Sequence, residues 1–448
     1  MKRSRYIYPF ETDTEYVLYS WLANDYIAFP LKEKQRVVTL LNNPDDVITN
    51  YDVEIYKKLL EKKALISDQF DEFDYLLILH NKAIYRNDSL ALTIMPTLNC
   101  NCCCPYCYEV HDNERLSTQV IENMKQYITQ NLDGLHYLHI SWFGGEPLLE
   151  IDTIKTFSEF CRRICIQNNI TFTANITSNA VLLNEAVAKI LTENDVRNFC
   201  ATLDGSKRMH DQTRITKKQE DTFDKIVTNL INFIKLSMEN RVILRIHVHS
   251  FDEDEIAGII ESLKLFGNYA SRVSVYFRTL FSSCTDRWKV SEISEPSSDS
   301  LLTKNNIIAE LISKSFKMGF GVAELAKRSF FYCEAELDNY WTVKPDGSLS
   351  KCTIAVEKER SLAKFTDKGL KIDMDRMILW NVKNTTNRLT RCKGCNVFPF
   401  CWGLCAYSNY QNHEEKDLNI LCESMKNSNI IAEQMSIRKN LYQTIARG

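Results

Sequence analysis

The sequence has no excess of basic charge and no long apolar run. Its 55 basic and 58 acidic residues are well mixed and give a net charge of −3, so no basic stripe exists to neutralise phosphates. The basic start of the chain is interrupted by acidic and polar residues before a signal-peptide core could develop. No apolar run reaches the roughly 18 residues of a membrane span. These absences predict a cytoplasmic protein that binds neither nucleic acid nor membrane.

Cysteine, by contrast, is abundant, with sixteen in the chain. In a cytoplasmic protein thiols stay reduced, so clustered cysteines favour metal binding over a disulfide framework. Five lie between Cys100 and Cys107, and seven lie between Cys333 and Cys422. The isolated Cys161, Cys165 and Cys200 are expected to be small buried hydrophobic residues.

The 448 residues exceed the ~250–300 that one hydrophobic core usually serves, and three domains are predicted, at 1–88, 89–300 and 301–448. In the second, short β-branched or aromatic runs alternate with helical stretches, which predicts a parallel sheet with right-handed crossovers. The fold class is therefore α/β. Its centre is a partial (β/α)6 barrel with strands at 90–96, 137–143, 170–177, 198–203, 242–249 and 272–277.

The first cysteine cluster follows the first barrel strand, with Cys100, Cys104 and Cys107 in a C-x3-C-x2-C pattern. At the C-terminal end of a barrel strand these thiolates would lie on the active face. Three thiolates on a four-iron cluster leave one iron open to a ligand. A zinc knuckle is the alternative, but it needs four ligands and no nearby histidine completes the set. Cys102 and Cys103 are interpreted as bystanders.

With Tyr106 before the last cysteine, the pattern resembles the signature of the radical S-adenosylmethionine (SAM) superfamily. Gly144-Gly145-Glu146-Pro147 is similar to that family's GGEP motif, which binds the methionine amino group. Thr177-Ser178-Asn179-Ala180 resembles its ribose segment, with Ala180 where glycine is commoner. Thr202-Leu203-Asp204-Gly205, followed by His210-Asp211 and Arg214, resembles the SLDG…HD…R run of the peptide-modifying branch. The resemblance assigns SAM binding to Gly144, Gly145, Glu146, Ser178, Thr202 and Asp204.

This resemblance implies an enzyme that cleaves SAM to a 5′-deoxyadenosyl radical, which takes a hydrogen atom from the substrate. Cys100, Cys104 and Cys107 would hold the catalytic cluster, and a flavodoxin- or ferredoxin-type reductant would supply the electron. Asp204, His247 and His249 near strand ends are candidates for a catalytic base.

The second cysteine field follows a Ser/Glu-rich linker at 291–300 and a predicted helix near 304–318, and precedes a predicted helix over about 423–442. Its order resembles the SPASM domain, which holds two auxiliary [4Fe–4S] clusters and would bring the total to three. The carried-over ligand sets are Cys333, Cys352 and Cys405 for the first cluster and Cys392, Cys395, Cys401 and Cys422 for the second. A fourth ligand for the first could be absent, a substrate thiol, Cys284, Glu334 or Glu336. The alternative is a pair of structural zinc sites.

The first domain reads as a small α+β unit, with strands at 16–22 and 25–29 and helices around 31–43 and 53–65. Its topology resembles the winged-helix-like element that binds leader peptides by strand addition, and the alternative is a cap on the barrel. The leading hypothesis is a peptide maturase that installs a thioether or carbon–carbon crosslink in a ribosomally made precursor. The alternatives are a sulfatase-type formylglycine maturase and a non-catalytic iron–sulfur binding or electron-transfer protein.

Overall fold

The computed structural model describes residues 1–46, 49–109, 111–279, 298–322, 329–355, 361–411, 422 and 430–446. Cys284 and residues 291–297 of the expected linker lie outside them. No helix of the described part is long and apolar enough to cross a bilayer. The described strands are β1 (Lys2–Arg3), β2 (Ile7–Glu11), β3 (Glu15–Ser20), β4 (Asp25–Pro30), β5 (Leu65–Ile66), β6 (Ser89–Ile94), β7 (Tyr137–Trp142), β8 (Thr171–Thr177), β9 (Val196–Leu203), β10 (Arg241–Val248), β11 (Val273–Thr279), β12 (Gly321–Val322), β13 (Tyr340–Val343), β14 (Ser348–Ser350), β15 (Ala363–Thr366) and β16 (Gly369–Ile372).

Helices alternate with these strands through the middle of the chain. Many begin at a side chain that accepts a backbone amide; Thr49 and Asp71 cap the second and third in this way. The described α-helices are α1 (Lys34–Asn42), α2 (Asn50–Glu61), α3 (Glu72–Ile84), α4 (Thr118–Gln130), α5 (Ile151–Gln167), α6 (Glu185–Glu193), α7 (Lys207–Thr213), α8 (Phe223–Leu236), α9 (Glu253–Lys264), α10 (Ser298–Lys317), α11 (Met374–Asn381), α12 (Arg388–Thr390), α13 (Phe398–Cys401), α14 (Ala406–Gln411) and α15 (Ile430–Ala446).

The predicted partial barrel is confirmed. Strands β6 to β11 pair in parallel in chain order, each within two residues of its predicted bounds. Along β10, Val242, Leu244 and Ile246 are buried while Ile243 and Arg245 are half-buried. This alternation places one set under the helical layer and the other in the lumen of the barrel.

The sheet continues past the six barrel strands on both sides. β12 adds to β11 in parallel, and β13 adds to β6 in parallel before β14, β15 and β16 follow as antiparallel hairpins. Eleven described strands therefore share one sheet. The first part of the cysteine-rich region belongs to this sheet, because Cys333 and Cys352 flank β13 and β14.

The N-terminal unit contains more structure than its sequence pattern predicts. The expected strands and helices are present as β3, β4, α1 and α2, but β2 and α3 were not predicted. Pro9 lies within β2 and obscured its strand pattern. Proline is tolerated there because β2 is an edge strand, and Tyr442 of α15 packs against its Phe10 at 5.8 Å between ring centroids.

This unit packs against the C-terminal region through an aromatic cluster. The ring of Phe73 lies 5.1 Å from that of Phe398, and Trp21 lies 5.9 Å from Trp402. All four side chains are buried in one hydrophobic core. The barrel core contains none of the described residues of 1–88, so the main hydrophobic contact of this unit is with the C-terminal region.

We expect Phe73→Ala to destabilise both sides of this contact by about 3–5 kcal/mol, because it removes a buried ring that the site cannot refill. Hydrogen exchange should then quicken in α3 and in α13 together. Ile78→Ala on the same helix is the control, since Ile78 is 53% exposed. Faster exchange confined to α3 would show that the stability of the C-terminal region does not depend on its contact with the N-terminal unit.

Candidate active site

A cavity of about 410 Å³ opens at the C-terminal ends of the parallel strands. Loops after β6, β7 and β8 form one side of it, and the ends of β9, β10 and β11 form the other. Of the residues with predicted roles, the cavity is lined by Cys100, Cys104, Cys107, Gly144, Gly145, Ser178, Thr202 and His247. Glu146 and Asp204 are fully buried behind its wall.

The cysteine loop brings three thiols to the cavity. Cys100 is buried, Cys104 half-buried and Cys107 exposed, and their thiols are close enough to influence one another's ionisation. Cys103 is exposed and its sulfur lies 3.5 Å from the Thr216 carbonyl, away from the cavity. Cys102 is buried in the cavity wall, where its thiol hydrogen bond lowers the pKa of Cys100.

The turn after β7 packs directly on this loop. Gly144 and Gly145 have φ values of 85° and 26°, which L side chains rarely adopt. A Cβ on Gly145 would lie 2.1 Å from the Asn99 carbonyl oxygen. The Gly145 amide donates to the carboxylate of Glu109, which follows the last cysteine of the loop. The Glu146 amide donates to the carbonyl of Asn99, which precedes the first cysteine. The turn is therefore held to the cysteine loop at both ends of that loop.

Glu146 joins three loops rather than facing the cavity. Its carboxylate accepts hydrogen bonds from the Leu148 amide at 2.9 Å, the Ser178 hydroxyl at 2.8 Å and the Asn179 amide at 2.8 Å. The Glu146 amide itself donates to Asn99 at 2.7 Å. Burial raises the pKa of Glu146 to about 7, opposed by these donors.

Asp204 is the centre of a second buried network. It accepts hydrogen bonds from the Tyr106 hydroxyl, from Thr213 at 3.0 Å and from His247 Nδ1 at 2.9 Å. Arg214 lies 3.3 Å away. Burial opposes ionisation of Asp204, but Arg214 and His247 outweigh it and hold its pKa well below the usual range.

Of the three candidates for a catalytic base, His247 is the one that reaches the cavity. Asp204 lies behind it and orients its ring, and His249 has its Nε2 3.9 Å from the same carboxylate. Burial lowers the pKa of His247, which favours the neutral imidazole that can accept a proton.

Comparison with known proteins identifies this arrangement. Residues 94–263 match the family described as the Radical SAM superfamily. These residues therefore form a radical SAM domain. A cysteine-type anaerobic sulfatase-maturating enzyme of Clostridium novyi is 24% identical over 371 residues, which cover 75% of this chain and 94% of that protein. The radical SAM cyclopropyl synthase TigE of Paramaledivibacter caminithermalis is 22% identical over 46% of each chain.

Solved structures of radical SAM enzymes share the fold. The structure of anSMEcpe with bound AdoMet and Cp18Cys peptide has a TM-score of 0.60 at 19% identity, and covers 79% of this chain and 99% of its own. SuiB of Streptococcus suis bound to S-adenosylmethionine has a TM-score of 0.50 at 15% identity, and covers 90% of this chain and 95% of its own. A radical SAM domain implies SAM and a [4Fe–4S] cluster, and the three thiols of the cavity are soft donors of the kind such a cluster takes.

The C-terminal cysteines, which lie outside the radical SAM domain, form two groups. Cys392, Cys395, Cys401 and Cys422 line one small cavity. The pKa of Cys401 is raised to about 11, mainly by burial and in smaller part by the neighbouring Cys422 and Cys395. Crowded thiols of this kind resist ionisation until a cation stabilises them, so the set suits a metal or an iron–sulfur cluster.

Cys333, Cys352 and Cys405 form the other group. The pKa of Cys333 is raised to about 12, mainly by burial and in smaller part by Glu336, Cys405 and Cys352. Both oxygens of Glu336 are already engaged, one by the amides of Tyr332 and Cys333 and the other by His80 at 3.2 Å. Glu334 is exposed beside this group.

Several cavity residues were not found from the sequence. Tyr108, Glu109, Arg245, Tyr276 and Arg278 all line the cavity but belong to no motif. Strand alternation could have located the last three. Each directly follows a buried apolar residue on β10 or β11, so its side chain points to the opposite face of the strand, into the lumen.

Strand alternation also corrects the interpretation of one isolated cysteine. Cys200 was expected in the core, but it is half-buried, because its neighbours Phe199 and Ala201 occupy the helix-facing side of β9. Cys161 and Cys165 are buried as expected.

We expect Gly145→Ala to lower both iron content after reconstitution and SAM cleavage more than tenfold, because the new methyl group would displace the cysteine loop. Gly134→Ala is a matched control. Its φ is also positive, at 73°, but nothing lies within 4 Å of the added carbon. Equal losses in the two variants would mean that backbone strain, and not the contact with Asn99, is responsible.

A pH dependence of stability is expected from His210, which is fully buried and neutral. Burial, assisted by Arg214, lowers the pKa of His210 to about 3. In the unfolded chain this pKa is about 6.5. The contribution of His210 to stability is therefore fully present above pH ~6.5 and is lost as the pH falls toward about 3. The free energy of unfolding should drop by about 1 kcal/mol per pH unit between pH 6 and pH 5 from this residue. Denaturant titrations of His210→Gln should show a shallower slope, whereas exposed His136→Gln should retain the wild-type slope.

Proposed function

We propose that this radical SAM enzyme modifies a peptide, forming a thioether or carbon–carbon crosslink in a ribosomally made precursor. The observation that carries the proposal is the placement of the cavity. It has the three-thiol loop on one side and the ends of β9, β10 and β11 on the other, and it is wide enough for a peptide side chain beside a cofactor. The solved structure of anSMEcpe holds a peptide together with AdoMet on the same fold.

Gly144, Gly145 and Ser178 would hold the methionine end of SAM, with Thr202 across the cavity. When bound, SAM and its cluster supply a 5′-deoxyadenosyl radical, for which a flavodoxin- or ferredoxin-type protein would provide the electron. Glu146 and Asp204 act from behind the wall, fixing Ser178 and His247. His247 would accept the proton released when the new bond closes, since its second ring nitrogen is not used by Asp204.

The C-terminal groups would hold two auxiliary clusters of the SPASM type. The side chain of Tyr108, which follows Cys107, bonds to that of Thr353, which follows Cys352. One tyrosine therefore links the cavity to the first auxiliary group. Electrons from substrate oxidation would pass from the cavity to the first auxiliary group through Tyr108 and Thr353. Electrons that reduce the catalytic cluster would pass through the same two side chains in the opposite direction.

The N-terminal unit would hold the leader of the precursor. β4 pairs with β3 alone among the described strands, and it ends in Pro30, a residue suited to an edge because it has no amide to donate. An extended leader could add to β4 as a fourth strand. The aromatic cluster then positions that leader relative to the C-terminal cysteines.

A formylglycine maturase is the second candidate, favoured by the relative in Clostridium novyi. The two reactions differ in what happens to sulfur. Crosslinking removes two hydrogen atoms and retains the cysteine sulfur, whereas formylglycine formation from cysteine loses it. Mass spectrometry of a cysteine-containing peptide encoded beside the gene should show hydrogen loss with sulfur retained; loss of sulfur would replace the first proposal with the second.

Anaerobic reconstitution should give about twelve irons per chain, and about eight in a Cys100/Cys104/Cys107→Ala variant, because each cubane holds four. 5′-Deoxyadenosine should form with the wild type and a strong reductant, and should be absent with the triple variant. Cys103→Ser is the matched control, since that exposed thiol lies in the same loop but outside the cavity. Zinc in place of iron, or no cleavage by the wild type, would leave a metal-stabilised binding protein.

A further inference from the structure

The wall of the cavity formed by β10 and β11 carries two arginines around one tyrosine. Arg245 is directly opposite Tyr276 in the strand register, and Arg278 is opposite His247. The guanidinium of Arg245 lies 5.4 Å from the centre of the Tyr276 ring, and that of Arg278 lies 5.2 Å from it. Arg245 also donates to the Tyr276 hydroxyl. The three side chains therefore form one ordered surface that faces the cavity.

Arg245 lacks the carboxylate partner that a half-buried guanidinium normally has. In the described part of the chain no carboxylate lies within 4.0 Å of it, and the Tyr276 hydroxyl is a neutral acceptor. A charge withdrawn from water is costly unless it is paired. The positive charge of Arg245 also acts on His247, because it repels the protonated imidazole and so lowers the pKa of His247.

The carboxylates nearest the cavity are already used by other groups. Asp204 is bound by Arg214 and His247. Glu109 accepts the Gly145 amide, and Glu146 accepts three hydrogen bonds behind the opposite wall. On the β10–β11 side of the cavity, the charge of Arg245 therefore has no carboxylate of the described residues beside it, and the ligand that suits it is an anion.

We propose that Arg245 and Arg278 bind a carboxylate of the peptide substrate, so that the enzyme selects an Asp or Glu side chain next to the modified position. This inference rests on the proposed peptide modification. A guanidinium matches a carboxylate with two parallel hydrogen bonds. Stacking on Tyr276 fixes the orientation of both guanidinium groups before the substrate arrives.

SAM also carries a carboxylate and is the competing source of this chemistry. The turn proposed for its methionine end, Gly144–Gly145, follows β7, whereas the arginines are on β10 and β11. Two strands, β8 and β9, separate these positions in the sheet. The placement therefore favours the peptide over SAM as the ligand of Arg245.

The test measures binding without turnover, using reconstituted enzyme with SAM bound and no reductant. The probes are N-acetyl-glutamate N-methylamide and its glutamine counterpart, titrated by ligand-observed NMR. The wild type should prefer the carboxylate about tenfold, as expected for a charge-assisted pair. Arg245→Gln should lose this preference, and Arg245→Lys, which keeps the charge but not the fork, should retain part of it. Arg162→Gln is the control, because Arg162 pairs with Asp195 outside the cavity.

SAM affinity and iron content, measured in the same variants, should stay within about twofold of the wild type and show that Arg245→Gln is folded. Equal affinity of the wild type for the two probes, including no detectable binding of either, would overturn the proposal. So would a tenfold loss of SAM affinity in Arg245→Gln, which would assign the arginine to the SAM carboxylate. Because no catalysis is required, these outcomes are independent of whether the peptide is crosslinked.

Discussion

The geometry of the site depends on the buried carboxylate of Glu146. Its oxygens hold the loop after β8 through Ser178 and Asn179, and its amide holds the cysteine loop after β6 through Asn99. Three strand ends are thereby fixed relative to one another by one residue. The cost of burying this carboxyl is offset by the donors around it, since an unsatisfied buried acceptor would lose the full desolvation energy. The cysteine spacing suits metal binding. The hydrogen bond from the Glu146 amide to the Asn99 carbonyl fixes the position of this loop beside the cavity.

A second constraint joins the two ends of the chain. Trp402 packs on Trp21 and Phe398 and approaches His80, which in turn contacts Glu336 in the turn after Cys333. One buried cluster therefore contacts the N-terminal unit and the segments that carry both C-terminal cysteine groups. A peptide held by the N-terminal unit would be fixed relative to these groups, because the intervening contacts are aromatic and closely packed.

Local patterns in the sequence predict the barrel well because each of its strands has a buried face and a lumen face. They predict less where contacts are distant in the chain: β13 finds its partner β6 about 250 residues away, and β2 is concealed by Pro9. The motifs locate the loops of the site, yet they do not separate residues that line the cavity from those behind it. Asp204 and Thr202 belong to one motif, but only Thr202 lines the cavity, because Asp204 lies in the turn after β9 and no longer follows the alternation of the strand.

The two sides of the cavity differ in their electrostatics, and this difference sets how substrates can lie in it. On the β7–β8 side, backbone groups and the Gly144–Gly145 turn surround the three thiols, an environment for a ligand that coordinates the open iron. On the β10–β11 side, Arg245 and Arg278 provide positive charge beside His247. Burial is the main cause of the lowered pKa of His247, and repulsion from the guanidinium groups of Arg214 and Arg245 lowers it in the same direction. Binding an anion there would reduce that repulsion and raise the basicity of His247, so that the base would be strongest when the substrate is in place.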